Sequence, residues 1–187
     1  MKKGGSGGAK TQKAGADFEF VTASKFESEL VSRGFTVLET HKLSGDNGPL
    51  HGITFEKPNK KKVEVFYQDG LYRLFFQPRN VKWQDFFSAR LKPDTAIFSN
   101  DTNTLTIIEK KQQTGPGSVM EKLQTCDYKM LYYSTLANQI GVKVDIVWQL
   151  GSHFVEQQNG LKSVFEYMKS KGSRYFFLEI PPEELKI

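Results

Sequence analysis

Cysteine, clustered histidine and long apolar runs are what this sequence lacks. One cysteine, Cys126, in 187 residues excludes an internal disulfide and any multi-cysteine zinc site. The histidines, His41, His51 and His153, are scattered and show no metal-ligand spacing. No apolar run approaches the ~20 residues that a membrane-spanning helix needs. The N-terminus carries no apolar signal region, so the expected location is cytoplasmic, with no membrane partner. Acidic residues are missing from positions 1–16, where Lys2, Lys3, Lys10 and Lys13 supply +4 of the net charge of +5. The rest of the chain is therefore near neutral, and any nucleic-acid face on it must be a local patch rather than a global field.

What is present describes one globular domain. Aromatic residues make up 13% of the chain, with 15 Phe, which is too apolar for a disordered protein. Residues 1–15, rich in Gly, Lys and Ser, read as a flexible basic arm. Residues 16–187 read as a single domain. The arm fits two readings, a contact along phosphates or a disordered terminus.

The stretch Leu91–Gln113 organises the rest. It reads as a β-hairpin with polar residues that a core strand does not select. Asp94 follows Pro93 and opens one apolar run, Thr95–Phe98. Glu109 ends another, Leu105–Ile108, and Lys111 lies two residues beyond it. Side chains alternate along a strand, so Glu109 and Lys111 share a face, and strand pairing brings Asp94 alongside Glu109. Taken singly, Asp after Pro is turn chemistry and Glu-Lys-Lys is a solvated strand end. Taken together, two carboxylates and one ammonium make a site for a divalent cation and an attacking water. Gln113 continues the same parity.

Elsewhere the pattern alternates helices and strands, which implies an α/β or α+β fold with a mixed central β-sheet flanked by helices. Ala16–Gly34 is expected to form a helix, with Phe18, Val21, Phe26 and Leu30 at helical spacing. Strands are expected at Phe35–Thr40, Gly52–Glu56, Val63–Tyr67, Leu71–Gln77, Val142–Leu150 and Arg174–Ile180. Gln68-Asp69-Gly70 reads as a hairpin turn in which Asp-Gly permits positive φ. Arg79–Arg90 is expected to be a short helix whose Trp83, Phe86 and Phe87 pack into the core or stack bases. Ser118-x-x-Glu121 reads as a capping box opening a long helix, with Leu123, Met130, Leu131 and Leu136 buried. Gly160–Lys171 is expected to be a short amphipathic helix. The loop from Lys57 to Lys62, with Lys60, Lys61 and Lys62, is the most basic segment of the body. It reads either as a grip on a phosphate backbone or as a solvated tip that blocks edge pairing.

Pro93-Asp94 followed by Glu109-x-Lys111 resembles the signature of the PD-(D/E)XK nuclease superfamily. Gly117–Cys126 is similar to the helix of small type II restriction endonucleases within it, and Gln124-x-x-x-Tyr128 to a helix motif of some superfamily nucleases. The likeness covers roughly Gly15–Leu150. It implies a restriction-endonuclease-like core. It also implies Mg²⁺, with Mn²⁺ substituting, held by Asp94, Glu109 and the backbone carbonyl of Lys110, while Lys111 orients or deprotonates water. A glutamate on the helix before the sheet often reaches that ion in the superfamily; Glu19 is the residue so placed, though an acid there also suits the helix dipole. The start of the long helix, with Ser118 and Lys122, is expected beside the scissile phosphate. Lys57 to Lys62 and Arg79 are the further DNA-binding candidates. The implied activity is site-specific cleavage of double-stranded DNA by a homodimer matched to a palindromic target, without a small-molecule cofactor. The alternatives are a structure-specific or junction-resolving nuclease and a non-catalytic DNA-binding module on the same fold.

Overall fold

The computed structural model describes residues 26–42, 50–59, 61–113 and 119–187, with side chains from residue 121 in the last stretch. The arm, Glu19, Lys60 and Ser118 lie outside the described residues. Among the described residues one mixed sheet of seven strands runs in chain order. The strands are β1 (Thr36–Lys42), β2 (Leu50–Glu56), β3 (Lys62–Phe66), β4 (Thr95–Ser99), β5 (Thr104–Lys111), β6 (Lys143–Leu150) and β7 (Ser173–Phe177). β1 to β5 form an antiparallel meander, and β5, β6 and β7 run parallel. The helices are α1 (26–32), α2 (Val119–Leu123), α3 (Cys126–Asn138), α4 (Ser152–Glu156) and α5 (Lys162–Ser170). No helix among the described residues is long and apolar enough to cross a membrane.

Alternation along the central strands builds two cores. Ala96, Phe98, Leu105, Ile107, Ile146, Trp148 and Leu150 face the core that contains Tyr132, Tyr133 and Leu136 of α3. Ile97 and Ile108 face the other way, onto Leu30 of α1, Phe35 and Leu185. Strands covered on both faces need apolar residues at nearly every position, which is why β4 and β5 read as continuous runs. The parallel step from β5 to β6 demands a crossover, and α3 is that crossover.

Several expected elements differ. Leu71–Phe76 is a π-helical turn, not a strand. Its Leu71, Tyr72, Phe75 and Phe76 are all buried, at helical spacing within an aromatic segment that read as β. The turn before it places positive φ on Gln68, while Gly70 is right-handed. Glycine is needed there for space, because a Cβ would lie 1.8 Å from the His51 carbonyl oxygen. In Arg79–Arg90, apart from Arg79 at the end of a 3₁₀ turn from Gln77, only Trp83–Asp85 is helical, as a second 3₁₀ turn, and Phe86 is 41% exposed. The long helix is broken at 124–125. There the Thr125 hydroxyl donates to the Lys122 carbonyl at 2.7 Å, competing with the helical ladder. The break resets the helical phase, so Leu131 faces solvent instead of the core. β1 reaches Lys42 and β7 stops at Phe177, and α4 was not expected at all.

Candidate functional site

The hairpin of β4 and β5 brings together the residues its sequence pattern singled out. Its register pairs Thr95 with Ile108, which sets Asp94 beside Glu109 at the end of the sheet where β5 and β6 terminate. Glu109 and Lys111 share the face of Ile107, toward α3. The Lys111 ammonium meets three oxygens at once. It donates to Asp94 Oδ2 at 3.2 Å, to Glu109 Oε2 at 3.1 Å and to the Lys110 carbonyl oxygen at 2.9 Å. Asp94 Oδ2 also accepts the Lys110 backbone N–H at 2.6 Å, which ties the loop after Pro93 to the partner strand. Burial disfavours the Lys111 charge, but the charges of Glu109 and Asp94 and their hydrogen bonds outweigh it. The net effect holds the Lys111 pKa above its ordinary value, so it enters the site as an ammonium.

A fourth charge joins them. Lys129, on α3, places its Nζ 2.5 Å from Glu109 Oε1. Sequence spacing had not given Lys129 a role. The signal was there, since Cys126, Lys129 and Tyr133 recur at helical spacing and the outer two are buried. Trp148, opposite Glu109 in β6, lies under both lysines, with its ring centre 5.8 Å from Lys111 Nζ and 5.6 Å from Lys129 Nζ. Tyr133 closes the interior side. Burial first, and then the charges of Glu109, Tyr132 and Asp94, raise its pKa, so its hydroxyl stays protonated.

The donor set suits a hard divalent cation. Two carboxylates and one carbonyl converge on a single point that already holds a positive charge. Among the described residues no three His, Cys, Asp or Glu side chains gather. Glu19, the further acid expected, lies outside the described residues. Glu27, another acid of that helix, accepts the Tyr67 hydroxyl at 2.5 Å and is not among the groups around Lys111. Gln113 is buried two residues past the end of β5.

The expected DNA-binding cations are spread out. Lys62 starts β3 and its backbone N–H meets Asn100, at the end of β4 away from Asp94. Six strand residues make that roughly 20 Å from the Asp94 end. Lys57 sits over the Phe35 ring, Lys61 pairs with Asp101, and Lys62 pairs with Glu56. Arg79 donates to the Phe75 carbonyl and lies over the Phe75 ring. Lys122 is exposed on α2. Two cations close to Asp94 in sequence were missed. Arg90 and Lys92 both reach Asp69 at 2.7 Å, and Lys92 stands two residues before Asp94. The Arg90 guanidinium also lies over the Tyr72 ring, which is tied by its hydroxyl to the Leu91 carbonyl.

Compared with protein-family models and with curated proteins, the chain matches none.

Proposed function

We propose that this chain is a Mg²⁺-dependent endonuclease of the PD-(D/E)XK type, on a restriction-endonuclease-like core, cutting double-stranded DNA at a specific sequence as a homodimer. One observation carries the reading: a single ammonium lies within 3.2 Å of the Asp94 carboxylate, the Glu109 carboxylate and the Lys110 carbonyl. These are the oxygens that the sequence motif nominates for the ion. Asp94, Glu109 and the Lys110 carbonyl would hold the metal. Bound there, Mg²⁺ supplies Lewis acidity toward a phosphate oxygen and lowers the pKa of a water.

The protein's own groups do the rest. Lys111, held protonated by its carboxylate neighbours, orients the attacking water and offsets charge as the pentavalent phosphorus forms. Trp148 and Tyr133, both fully buried, wall the interior side of the site and keep bulk water out. Arg90 and Lys92, held in place by Asp69, contact backbone phosphates next to the site. The Lys57 to Lys62 tip, roughly 20 Å away, lies about half a turn further along a duplex.

The test is digestion of unmethylated phage DNA with Mg²⁺, followed by sequencing of the fragment ends. Discrete fragments with one common end sequence are expected. Asp94→Ala, Glu109→Ala and Lys111→Ala are each expected to fold and bind DNA without cutting it. Undiminished Mg²⁺-dependent cleavage by any of these variants would sink the assignment, as would a wild-type chain that never cuts.

A further inference from the structure

Lys129 poses a problem of charge balance. Asp94 and Glu109 bring two negative charges and Lys111 and Lys129 two positive ones, so the site as folded is neutral. A divalent cation approaching it meets no net attraction. Glu109 is also doubly engaged, with one oxygen on each lysine, and it is only 2% exposed. The two engagements differ in kind. Oε2 accepts an aligned hydrogen bond from Lys111 at 3.1 Å. Oε1 lies 2.5 Å from Lys129 Nζ yet accepts no aligned hydrogen bond. Lys129 and Glu109 form a close ion pair. Lys129 makes it from the end of a flexible stem with three rotatable donors, on a helix anchored by the buried Tyr132, Tyr133 and Leu136.

We infer that Lys129 is a latch on Glu109 which couples metal binding to phosphate binding. Without nucleic acid its ammonium stays on Oε1. A backbone phosphate entering beside Asp94 and Glu109 draws the ammonium onto its own oxygen, which frees Oε1 for the cation. The phosphate also restores the charge that a divalent ion needs nearby. Metal and phosphodiester then favour each other's binding by the same factor. The sequence expectation gave the cation to Asp94, Glu109 and Lys110, with Glu19 as a further acid; the latch makes the availability of Glu109 conditional. This inference rests on the nuclease reading of the same site.

The experiment is Mn²⁺ titration of the full chain, read from the paramagnetic signal of the free ion, without DNA. Wild type, Lys129→Met, Lys129→Arg and Asp94→Ala are compared. Lys129→Met is expected to bind Mn²⁺ about tenfold more tightly than wild type, because Glu109 is freed and the site gains a negative charge. Lys129→Arg is expected to bind Mn²⁺ no more tightly than wild type, because the positive charge is kept and a guanidinium holds Glu109 at least as firmly, and Asp94→Ala to lose the site. In a second measurement, Ca²⁺ in place of EDTA is expected to raise wild-type affinity for a 20-base-pair duplex about tenfold, and to do so much less in Lys129→Met. Should Lys129→Met not fold, Lys129→Gln carries the same comparison. Equal Mn²⁺ affinity in wild type and Lys129→Met, with the site lost in Asp94→Ala, overturns the latch and leaves the nuclease reading standing. Absence of Mn²⁺ binding by both wild type and Lys129→Met overturns both.

Discussion

Glu109 and Asp145 are both buried carboxylates on neighbouring strands of the same sheet, and each faces two cations, yet they are held in opposite ways. Asp145, near the start of β6, is gripped by the fork of Arg174, whose Nη2 and Nε both reach it, and by Lys186 at 3.2 Å. Arg174 is itself fixed by the Glu184 carboxylate and by the Glu184 carbonyl at 2.7 Å. That cluster pins the chain's end to the sheet and seats Leu185 in the second core. Glu109, at the far end of β5, is held by two lysines, and one of its oxygens accepts no aligned hydrogen bond. A planar guanidinium fixes geometry, whereas an ammonium on a long stem yields it. The difference separates a cluster built to stay from one able to exchange partners.

The largest expected effect breaks the comparison at Glu109. Glu109→Gln keeps the size and polarity of the side chain but removes the charge, and cleavage under Mg²⁺ is expected to fall by at least about 10²-fold. Melting curves are expected to show the variant still folded. Wild-type cleavage rates in that variant would remove Glu109 from the chemistry. At the other cluster the order reverses. Asp145→Ala leaves Arg174 and Lys186 without their central acid and is expected to cost about 2 kcal/mol, or roughly 4–8 °C in Tm for a chain of this size. Cleavage per folded molecule is expected to be unchanged. A variant as stable as wild type shows that the Arg174 fork is not what holds the terminus down.

The smallest effect concerns Asp69, which pairs with Arg90 and Lys92. Partial burial pushes its pKa up, but the Lys92 hydrogen bond and the charges of Arg90 and Lys92 prevail and hold it below the ordinary carboxylate value. A depressed folded-state pKa contributes stability that is present above the unfolded pKa of about 3.9 and lost as pH falls through the folded value. Urea unfolding at pH 5 and pH 3 is therefore expected to show a loss that Asp69→Asn lacks, by no more than about 1 kcal/mol. Equal losses in the two proteins would mean that the ion pairs add nothing to stability.

The hairpin was legible because its signals are local. Pro93-Asp94 opens it, Asn100–Asn103 turns it, and side-chain parity alone puts Glu109 and Lys111 on one face. The π-helical turn at Leu71–Phe76 was not legible. Its four buried residues suit a strand's composition as well as a helix's spacing, and only their packing on Phe66 and Phe98 separates the two. The basic loop at Lys57 to Lys62 was visible as charge, but strand order alone places it at the end of the sheet away from Asp94. Arg90 and Lys92 carried no motif, and their value comes from Asp69, which lies more than twenty residues away in the chain.

By itself, then, the sequence determined the sheet's central hairpin and the identity of three charged groups on it, because alternation and turn chemistry act over a few residues. Only the tertiary structure decided that a fourth charge, Lys129, completes the group. Lys129 reaches Glu109 because the β5-to-β6 crossover lays α3 across the sheet, and that placement is set by burial of Tyr132, Tyr133 and Leu136 rather than by any pattern around the lysine.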